Sequence, residues 1–251
     1  MVVVLVVLAS IVALLVLIYF IEPFIYALFL SWIIELFVKN PPFVDINEHF
    51  PEGRILKENW KVIRAELETL LVDIDAIPQF HEVDKLQRLI SAKDNVAWRT
   101  FIIKGFDQWI QTNCERVPKT VELLKQMPQV SFAMFSIIDG GKHIPPHIGF
   151  FKSVLRYHLG MIIPKGDVFI KVGGQEYRWK EGEDVLFDDT YKHEVWNKTS
   201  ERRVVLFCDV LRKKGLPVFL QKLNKSMFKL LVNSRKLREA ARNAEVAKNI
   251  N

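Results

Sequence analysis

The sequence predicts a mainly β fold with flanking helices, preceded by a helix that crosses a membrane. From Val130 to Val210, short runs rich in β-branched and aromatic residues alternate with turns that contain Gly and Asp. Several short strands separated by such turns are typical of a jelly roll. Before this region, residues 1–38 are apolar and carry two charged residues, Glu22 and Glu35.

The uncharged run from Met1 to Ile21 is the first predicted element. It is long enough to cross a bilayer, which requires about 20 apolar residues. A cleaved signal peptide is the alternative, but no Lys or Arg precedes Lys39 to form its basic region. Residues 24–38 are apolar but shorter, which favours a helix lying at the membrane interface over a second span. With one span, the positive-inside rule predicts a single-pass protein of the inner (cytoplasmic) membrane whose remaining chain faces the cytoplasm.

Changes in composition divide the chain into three regions, which are 1–40, 50–212 and 213–251. The first is the membrane helix with its interfacial segment, and the second is the folded domain. Residues 212–251 contain eleven Lys or Arg and two Glu, so they carry +9 and the rest of the chain carries −3 of the total +6. Their leucines recur at helical spacing, which predicts a basic amphipathic C-terminal helix. Such a helix binds an anionic bilayer or packs on the folded domain, and both interpretations stand. We predict no nucleic-acid partner.

Periodicity places the elements of the folded domain. Apolar residues three and four apart predict helices over Asn59–Ile74 and Lys119–Met127, and Val83–Ile90 continues a helical region. Turn residues then separate seven predicted strands: Val130–Ile138, Ser153–Ile163, Val168–Val172, Glu176–Trp179, Val185–Phe187, Glu194–Trp196 and Arg203–Val210. The last strand is apolar on both faces, as a central strand is.

Two histidines stand near strand ends in the β region. His147 lies in PPHIGF and His193 lies in FDDTYKHEVWN. Imidazole is a ligand for iron, zinc, copper and nickel, and non-haem iron oxygenases use two histidines and a carboxylate. That carboxylate normally follows the first histidine by two residues, where this chain has Gly149. Taken alone, the two histidines fit a metal site and hydrogen-bonded structural residues equally well.

Three further cations belong to the β region. Arg156 and His158 are two residues apart and therefore share a strand face, where burial is costly unless an anion is bound. Arg203 begins an apolar strand, and its planar guanidinium matches a carboxylate. Arg202 points the opposite way, and alternation alone does not say which of the two faces inward. The alternative for each arginine is an ordinary salt bridge to a nearby aspartate: Asp188, Asp189 or Asp209.

Several segments together resemble the aspartyl/asparaginyl β-hydroxylase family of iron(II)- and 2-oxoglutarate-dependent oxygenases. They are MFSII, HIPPHIGFFKSVLRYHLGMIIPKGD and YRWKEGEDVLFDDTYKHEVWNKTSERRVVLFCDV, between about residues 128 and 211. The upstream segments NWKVIRAEL, AWRTFIIKGF and VPKTVELLKQMP look most like the bacterial lipid A hydroxylase branch, which also has an N-terminal membrane helix.

The resemblance implies that residues 50–212 form a dioxygenase domain with a double-stranded β-helix (jelly roll) fold. It implies that His147 and His193 bind iron(II), that Arg203 is catalytically required with them, and that O2 is the oxidant. It also implies a set of residues around the co-substrate 2-oxoglutarate: Arg203 and Ser136 at its distal carboxylate, Arg156 and His158 at its other end, and Trp98 beside it.

One departure from the lipid branch bears on the substrate. Lipid A hydroxylases have His-x-Asp at the first ligand motif, whereas this chain has His147-Ile148-Gly149, as the peptidyl hydroxylases do. The membrane segments favour hydroxylation at the 2-position of a fatty acyl chain of lipid A or a related lipid. Gly149 favours an Asp or Asn side chain of a protein. The third hypothesis is a non-catalytic, membrane-bound jelly-roll binding module.

Overall fold

The structure is a computed structural model that describes residues 23–105, 108–231 and 235–245, together with Val6 and Ser10. Its helices, numbered along the chain, are α1 (Pro23–Phe37), α2 (Ile46–His49), α3 (Gly53–Glu58), α4 (Trp60–Leu71), α5 (Phe80–Val83), α6 (Arg88–Ser91), α7 (Gln111–Cys114), α8 (Pro118–Lys125), α9 (Val218–Leu231) and α10 (Arg235–Asn243), with 3-10 turns at Ile74–Ala76 and Lys85–Gln87.

The helices predicted within the folded domain are found. The predicted helix over 59–74 is α4 followed by a 3-10 turn, and α8 occupies the segment predicted from Lys119. Pro118 stands at the start of α8, where its missing N–H costs no hydrogen bond.

The predicted membrane span of residues 1–21 lies outside the described residues, apart from the two isolated positions. No helix in the described ranges has both the length and the apolarity needed to cross a bilayer.

The strands form two antiparallel sheets. They are β1 (Trp98–Gly105), β2 (Gln108–Trp109), β3 (Val130–Ile138), β4 (His143–His147), β5 (Val154–Ile162), β6 (Val168–Val172), β7 (Gln175–Tyr177), β8 (Asp184–Phe187), β9 (His193–Asn197) and β10 (Arg203–Leu211). The larger sheet has the order β2-β1-β3-β10-β5-β8 and the smaller sheet has the order β4-β9-β6-β7. All seven predicted strands are present, and β10 is central, as its apolar sequence predicts.

The sequence patterns do not predict β1, β2 or β4. In β4, Pro145 and Pro146 argue against a strand because proline cannot donate to a ladder. They are tolerated because β4 is an edge strand, and because its pairing with β9 shifts register between Ile144 and His147.

Two apolar cores lie on opposite faces of the larger sheet. The outer core packs that sheet against α4 and α8 and contains Leu67, Leu124, Phe135 and Leu206, each at most 1% exposed. The inner core fills the space between the two sheets. This inner space also holds the polar residues described below.

A third core joins the two ends of the described chain. Ala27, Leu30 and Ile34 of α1 pack with Leu220 and Met227 of α9. Of the helix predicted over 213–251, the structure describes α9 and α10, and residues 232–234 between them lie outside the described residues. The second helix, α10, runs back to the folded domain, where the Asn113 side-chain amide donates to the carbonyl oxygen of Ala244.

Candidate active site

Strand pairing brings His147 and His193 together. The two residues are direct partners across β4 and β9, and their ring centroids are 4.1 Å apart. Adjacent partners on one sheet face project in the same direction, so both imidazoles enter the space between the sheets.

Backbone hydrogen bonds fix the tautomer of both rings. His147 Nδ1 lies 2.8 Å from the carbonyl oxygen of Pro145, and His193 Nδ1 lies 2.9 Å from that of Tyr191. Because a carbonyl oxygen only accepts, each Nδ1 carries the proton and each Nε2 keeps its lone pair. Burial lowers the pKa of both imidazoles to about 4, and proximity to His193 adds to the shift for His147. Neutral imidazoles with Nε2 free are the form that binds a metal.

Asp189 occupies the space into which a side chain at position 149 would project. The backbone N–H of Gly149 donates to the carbonyl oxygen of Asp189 at 2.7 Å. A Cβ atom added at Gly149 would lie 2.1 Å from Asp189 Oδ2 and 2.6 Å from Oδ1. Among the described residues, no group of three His, Cys, Asp or Glu side chains is arranged to hold a metal. Glycine at 149 therefore leaves room for a carboxylate that comes from a different loop.

Arg156 connects this carboxylate to the central strand. Its Nη2 lies 3.0 Å from Asp189 Oδ2, its Nε lies 3.1 Å from Asp209 Oδ1, and its guanidinium lies over the Phe207 ring. Burial raises the pKa of both carboxyls despite this cation. The two sequence interpretations of Arg156 are therefore compatible, because it forms salt bridges and also lines the pocket. Asp189 Oδ1 is buried without a hydrogen-bond partner.

Arg203 faces the pocket as a buried cation. It is 1% exposed, and among the described residues no carboxylate forms an ion pair with it. Its Nη1 approaches the backbone oxygen of Ser136 at 3.3 Å, and its Nε has no partner. Burial lowers the pKa of Arg203 to about 9. Arg202, in contrast, binds Asp139 at 2.7 Å on the outside, so Arg203 is the inward-facing arginine.

The hydroxyl of Ser136 lies between two donors. Trp98 Nε1 donates to Ser136 Oγ at 3.1 Å, and Arg203 Nη1 lies 3.5 Å from the same oxygen. This arrangement leaves the Ser136 hydroxyl hydrogen available to a further acceptor.

Two more buried polar side chains have no partner for their ring nitrogens. Neither nitrogen of His158 is hydrogen-bonded, and burial followed by proximity to Arg203 lowers its pKa well below the ordinary value. Trp179 Nε1 is also without a partner, and its ring lies 4.4 Å from Arg203 Cζ. Buried donors are nearly always satisfied in native proteins, so this cluster indicates a ligand that supplies acceptors.

A buried ionic cluster ties together the segments that carry the two histidines. Asp188 Oδ2 lies 2.7 Å from Lys152 Nζ and 2.8 Å from Arg212 Nη2. Burial alone would raise the pKa of the Asp188 carboxyl. The cations Arg212 and Lys152 outweigh this effect, so the pKa lies below its ordinary value. Lys152 follows the His147 loop and Asp188 precedes His193, so the cluster holds both loops in position.

All seven residues implied by the resemblance line one pocket: Trp98, Ser136, His147, Arg156, His158, His193 and Arg203. Its other walls are apolar. The sequence predicts Asp189 only as a salt-bridge partner and assigns no role to Trp179. Asp189 lies four residues before His193 in the sequence, and this proximity could have indicated that it belongs to the site.

The donor set fits iron(II) and a small dicarboxylate. Two imidazole nitrogens are available to a metal, and the unpaired nitrogens of Arg203 and His158 suit carboxylate oxygens. An apolar wall around these groups would exclude water from them.

Comparisons with known proteins relate the chain to a family of hydroxylases. Residues 57–213 match the sequence profile of the aspartyl/asparaginyl β-hydroxylase family. An ornithine lipid ester-linked acyl 2-hydroxylase of Rhizobium tropici is 37% identical over 180 residues, which cover 71% of this chain and 63% of that protein. Human aspartyl/asparaginyl β-hydroxylase is 32% identical over 167 residues, which cover 64% of this chain and 21% of that protein. The matched part of the chain thus spans less than two thirds of either relative.

A solved structure, a cupin 2 conserved barrel domain protein from Salinispora arenicola, aligns with 13% identity and a TM-score of 0.27. The alignment covers 38% of this chain and 70% of that chain.

Proposed function

The chain belongs to the aspartyl/asparaginyl β-hydroxylase family, and on this basis we propose that it is an iron(II)- and 2-oxoglutarate-dependent hydroxylase of a membrane lipid. One observation carries the proposal. The two histidines and the unpaired, buried Arg203 face a single pocket, although they come from different strands of two sheets.

Each polar group of the pocket has a role in this proposal. His147 and His193 would hold iron(II) through Nε2, and Arg203 with the Ser136 hydroxyl would hold the distal carboxylate of 2-oxoglutarate. Arg156 and His158 would lie at its other end, with Trp98 fixing Ser136. Iron(II), 2-oxoglutarate and O2 together would supply the oxidising power, giving hydroxylated product, succinate and CO2.

Asp189 would not bind iron(II) in this scheme, but would lie beside the metal position. Its free Oδ1 would accept a hydrogen bond from a water molecule at the position that Gly149 leaves open. Such partners orient metal-bound ligands without binding the metal themselves. The two-histidine site would therefore keep more positions open than a site with three protein ligands.

The proposed substrate is the 2-position of a fatty acyl chain on lipid A or an amino-acid-containing membrane lipid. The acyl 2-hydroxylase of Rhizobium tropici is more similar to this chain than the human enzyme is, at 37% against 32% identity. The uncharged run at residues 1–21 supports the same assignment. We propose that this run is a single span of the inner membrane and that the catalytic domain faces the cytoplasm.

The second candidate is β-hydroxylation of Asp or Asn in a protein. Gly149 favours it, because the resemblance at this position is to the peptidyl branch, and the human relative has that name. The presence of His147, His193 and Arg203, which would bind the metal and 2-oxoglutarate, argues against a non-catalytic binding module.

Lipid mass spectrometry tests the proposal. Cells that express the wild-type chain should contain lipids heavier by one oxygen than cells that express His193→Ala. Unchanged lipids alongside succinate production by the purified protein would contradict a lipid substrate, and β-hydroxylated Asp or Asn in a co-expressed protein would establish the second candidate. Absence of iron(II) binding and of succinate would favour the binding module.

A further inference from the structure

Helix α1 has an apolar stripe that the fold leaves uncovered. Ile25, Leu28, Trp32 and Leu36 follow one another at intervals of three and four residues and are 37–64% exposed. The opposite face of α1 is buried against α9 and the folded domain. The exposed stripe is therefore not needed to pack the helix, and exposed apolar groups of this size typically mark a binding surface.

A loop beside the metal site continues this apolar surface. Ile148 and Phe150, which follow His147 directly, are 58% and 57% exposed. Ser31 fixes the loop to α1, because its hydroxyl donates to the backbone oxygen of Phe150 and accepts from the N–H of Lys152. The stripe and the loop are thus held together, with one end next to an iron-binding histidine.

Helix α9 adds apolar and basic side chains to the same part of the molecule. Phe219 and Leu223 lie one turn apart and are 58% and 38% exposed. Lys222 and Lys225 are exposed on the same helix. Apolar groups accompanied by lysines match the interface of a bilayer that contains anionic lipids. Glu35, near the C-terminal end, is the one charged residue in the sequence of α1.

The neighbouring sequence favours one occupant of this surface. Residues 1–21 contain no charged residue, and only Glu22 separates them from Pro23 of α1. If that run lies in a bilayer, α1, which follows it closely in the sequence, is held at the membrane surface. A bilayer therefore explains the exposed stripe, whereas a protein partner would have to displace the bilayer from it.

We propose that the exposed stripe of α1, Ile148, Phe150, Phe219 and Leu223 form a docking face that sits in an anionic bilayer surface. The inference rests on the proposed function, because it gives a reason for bringing the pocket to a lipid. Docking places the loop after His147 at the lipid interface. An acyl chain then reaches the pocket without entering water.

Fluorescent labels on single introduced cysteines test the docking face. Both native cysteines are buried, so maleimide reagents should react with the new thiol. Full-length Leu28→Cys and Leu223→Cys, labelled with a polarity-sensitive dye, are placed in vesicles of phosphatidylethanolamine and phosphatidylglycerol that contain nitroxide-labelled lipid. Leu89→Cys and Val72→Cys are matched controls, since both residues are apolar and more than 75% exposed but lie on other elements.

The expected result is at least a twofold loss of fluorescence from nitroxide lipid at positions 28 and 223 and none at 89 and 72. Equal quenching at all four positions would overturn the docking face. Labels at 28 and 223 that are protected from aqueous iodide but not quenched by nitroxide lipid would also overturn it. A protein partner or a second copy of the chain would then cover these positions instead of a bilayer. This measurement does not depend on catalysis, so it is independent of the proposed function.

A charge-substitution variant tests the consequence for turnover. Leu28→Glu combined with Trp32→Glu should lower hydroxylation of vesicle lipid at least tenfold, while iron(II) and 2-oxoglutarate binding stay unchanged. Val62→Glu, at an exposed apolar position of α4, is the control. Wild-type turnover of vesicle lipid by the double variant would contradict the proposal. If no lipid is hydroxylated by any variant, the proposed function fails and the quenching result still decides the docking face.

Discussion

The two faces of the larger sheet are built from the same strands and have opposite properties. Along β10, Val204, Leu206 and Cys208 point to the helices, and they are fully buried among apolar side chains. Arg203 and Phe207 point to the smaller sheet and line the pocket. Alternation within one strand therefore separates the residues that stabilise the fold from those that we propose bind the co-substrate.

The pocket face differs from the helix-facing side because it has buried polar atoms without hydrogen-bond partners, such as Arg203 Nε and the ring nitrogens of His158. Burying an unpaired cation costs stability, and the lowered pKa of Arg203 reflects this cost. The helix-facing side is instead lined by apolar side chains. Substitutions on the pocket face should consequently weaken ligand binding. Substitutions on the helix-facing side should lower the free energy of unfolding.

The largest effect is expected at the two histidines that we propose bind iron(II). His193→Ala should abolish iron(II) binding and succinate formation while the unfolding transition changes little. His143→Ala is the matched control, because His143 lies on the same strand as His147 but stacks on Trp196 outside the pocket. Equilibrium dialysis of iron(II) and a succinate assay measure the difference. Turnover by His193→Ala would contradict its assignment as a ligand.

A carboxylate placed at position 149 should also be disruptive. In Gly149→Asp the new Cβ would meet Asp189 Oδ2 at 2.1 Å, and a second carboxylate would stand beside the first. We expect iron(II) affinity to fall at least about tenfold, since displaced outer groups cost about 10–100-fold in related sites. Adding Asp189→Gly should restore part of the affinity by removing the clash. Wild-type iron binding and turnover by Gly149→Asp would show that position 149 tolerates a carboxylate.

Arg203→Met should weaken 2-oxoglutarate binding without weakening the fold. Loss of a buried charged partner costs about 2–5 kcal/mol, which is on the order of 30- to several-thousand-fold in affinity. The free energy of unfolding should equal or exceed that of wild type, because an unpaired buried cation is removed. Arg202→Met is the control, since Arg202 binds Asp139 outside the pocket. Titration with 2-oxoglutarate measures the affinity, and urea denaturation measures the free energy of unfolding. A large drop in the stability of Arg203→Met would contradict the expected difference between the two faces.

Leu206→Ala should show the reverse behaviour. Leu206 is fully buried in the outer core, and truncating such a leucine costs about 2–5 kcal/mol of unfolding free energy. Affinity for 2-oxoglutarate, measured on the folded fraction below the unfolding transition, should remain at the wild-type value. A selective loss of that affinity would mean that the two faces are coupled.

The smallest effect is expected for Trp179→Leu. Its ring lies 4.4 Å from Arg203 Cζ, and a cation–π contact of this kind is worth about 0.5–2 kcal/mol. The 2-oxoglutarate concentration for half-maximal rate should rise severalfold, with kcat unchanged. In the Arg203→Met background the substitution should have no further effect on that concentration, because its partner is gone. An additive effect would place Trp179 in direct contact with the ligand instead.

Sequence patterns predicted the strands well where apolar runs end at turn residues, as in Val130–Ile138 and Val168–Val172. They failed for β4, because Pro145 and Pro146 break the usual rule and only the edge position and the register shift accommodate them. Alternation shows that Arg202 and Arg203 lie on opposite faces of the strand, but it does not show which face is buried. The fold shows that the face of Arg203 is the buried one.

The role of Asp189 could not be predicted from spacing alone. Its proximity to Gly149 depends on the contact between two loops, which Lys152, Asp188 and Arg212 hold together. The seven residues named from the resemblance all line one pocket, and the binding role of each stays a prediction. The sequence did not predict Asp189 and Trp179 as neighbours of these residues, because they meet only through tertiary structure.

Spectroscopy of the anaerobic complex tests the central claim most directly. A 2-oxo acid that chelates iron(II) gives a visible charge-transfer absorption, which reports the metal and the co-substrate in one pocket. The full-length wild-type protein should develop this absorption at one iron(II) and one 2-oxoglutarate per chain, His193→Ala should not, and Arg203→Met should do so only at higher 2-oxoglutarate. No absorption with the wild-type protein, or equal absorption with His193→Ala, would contradict the account.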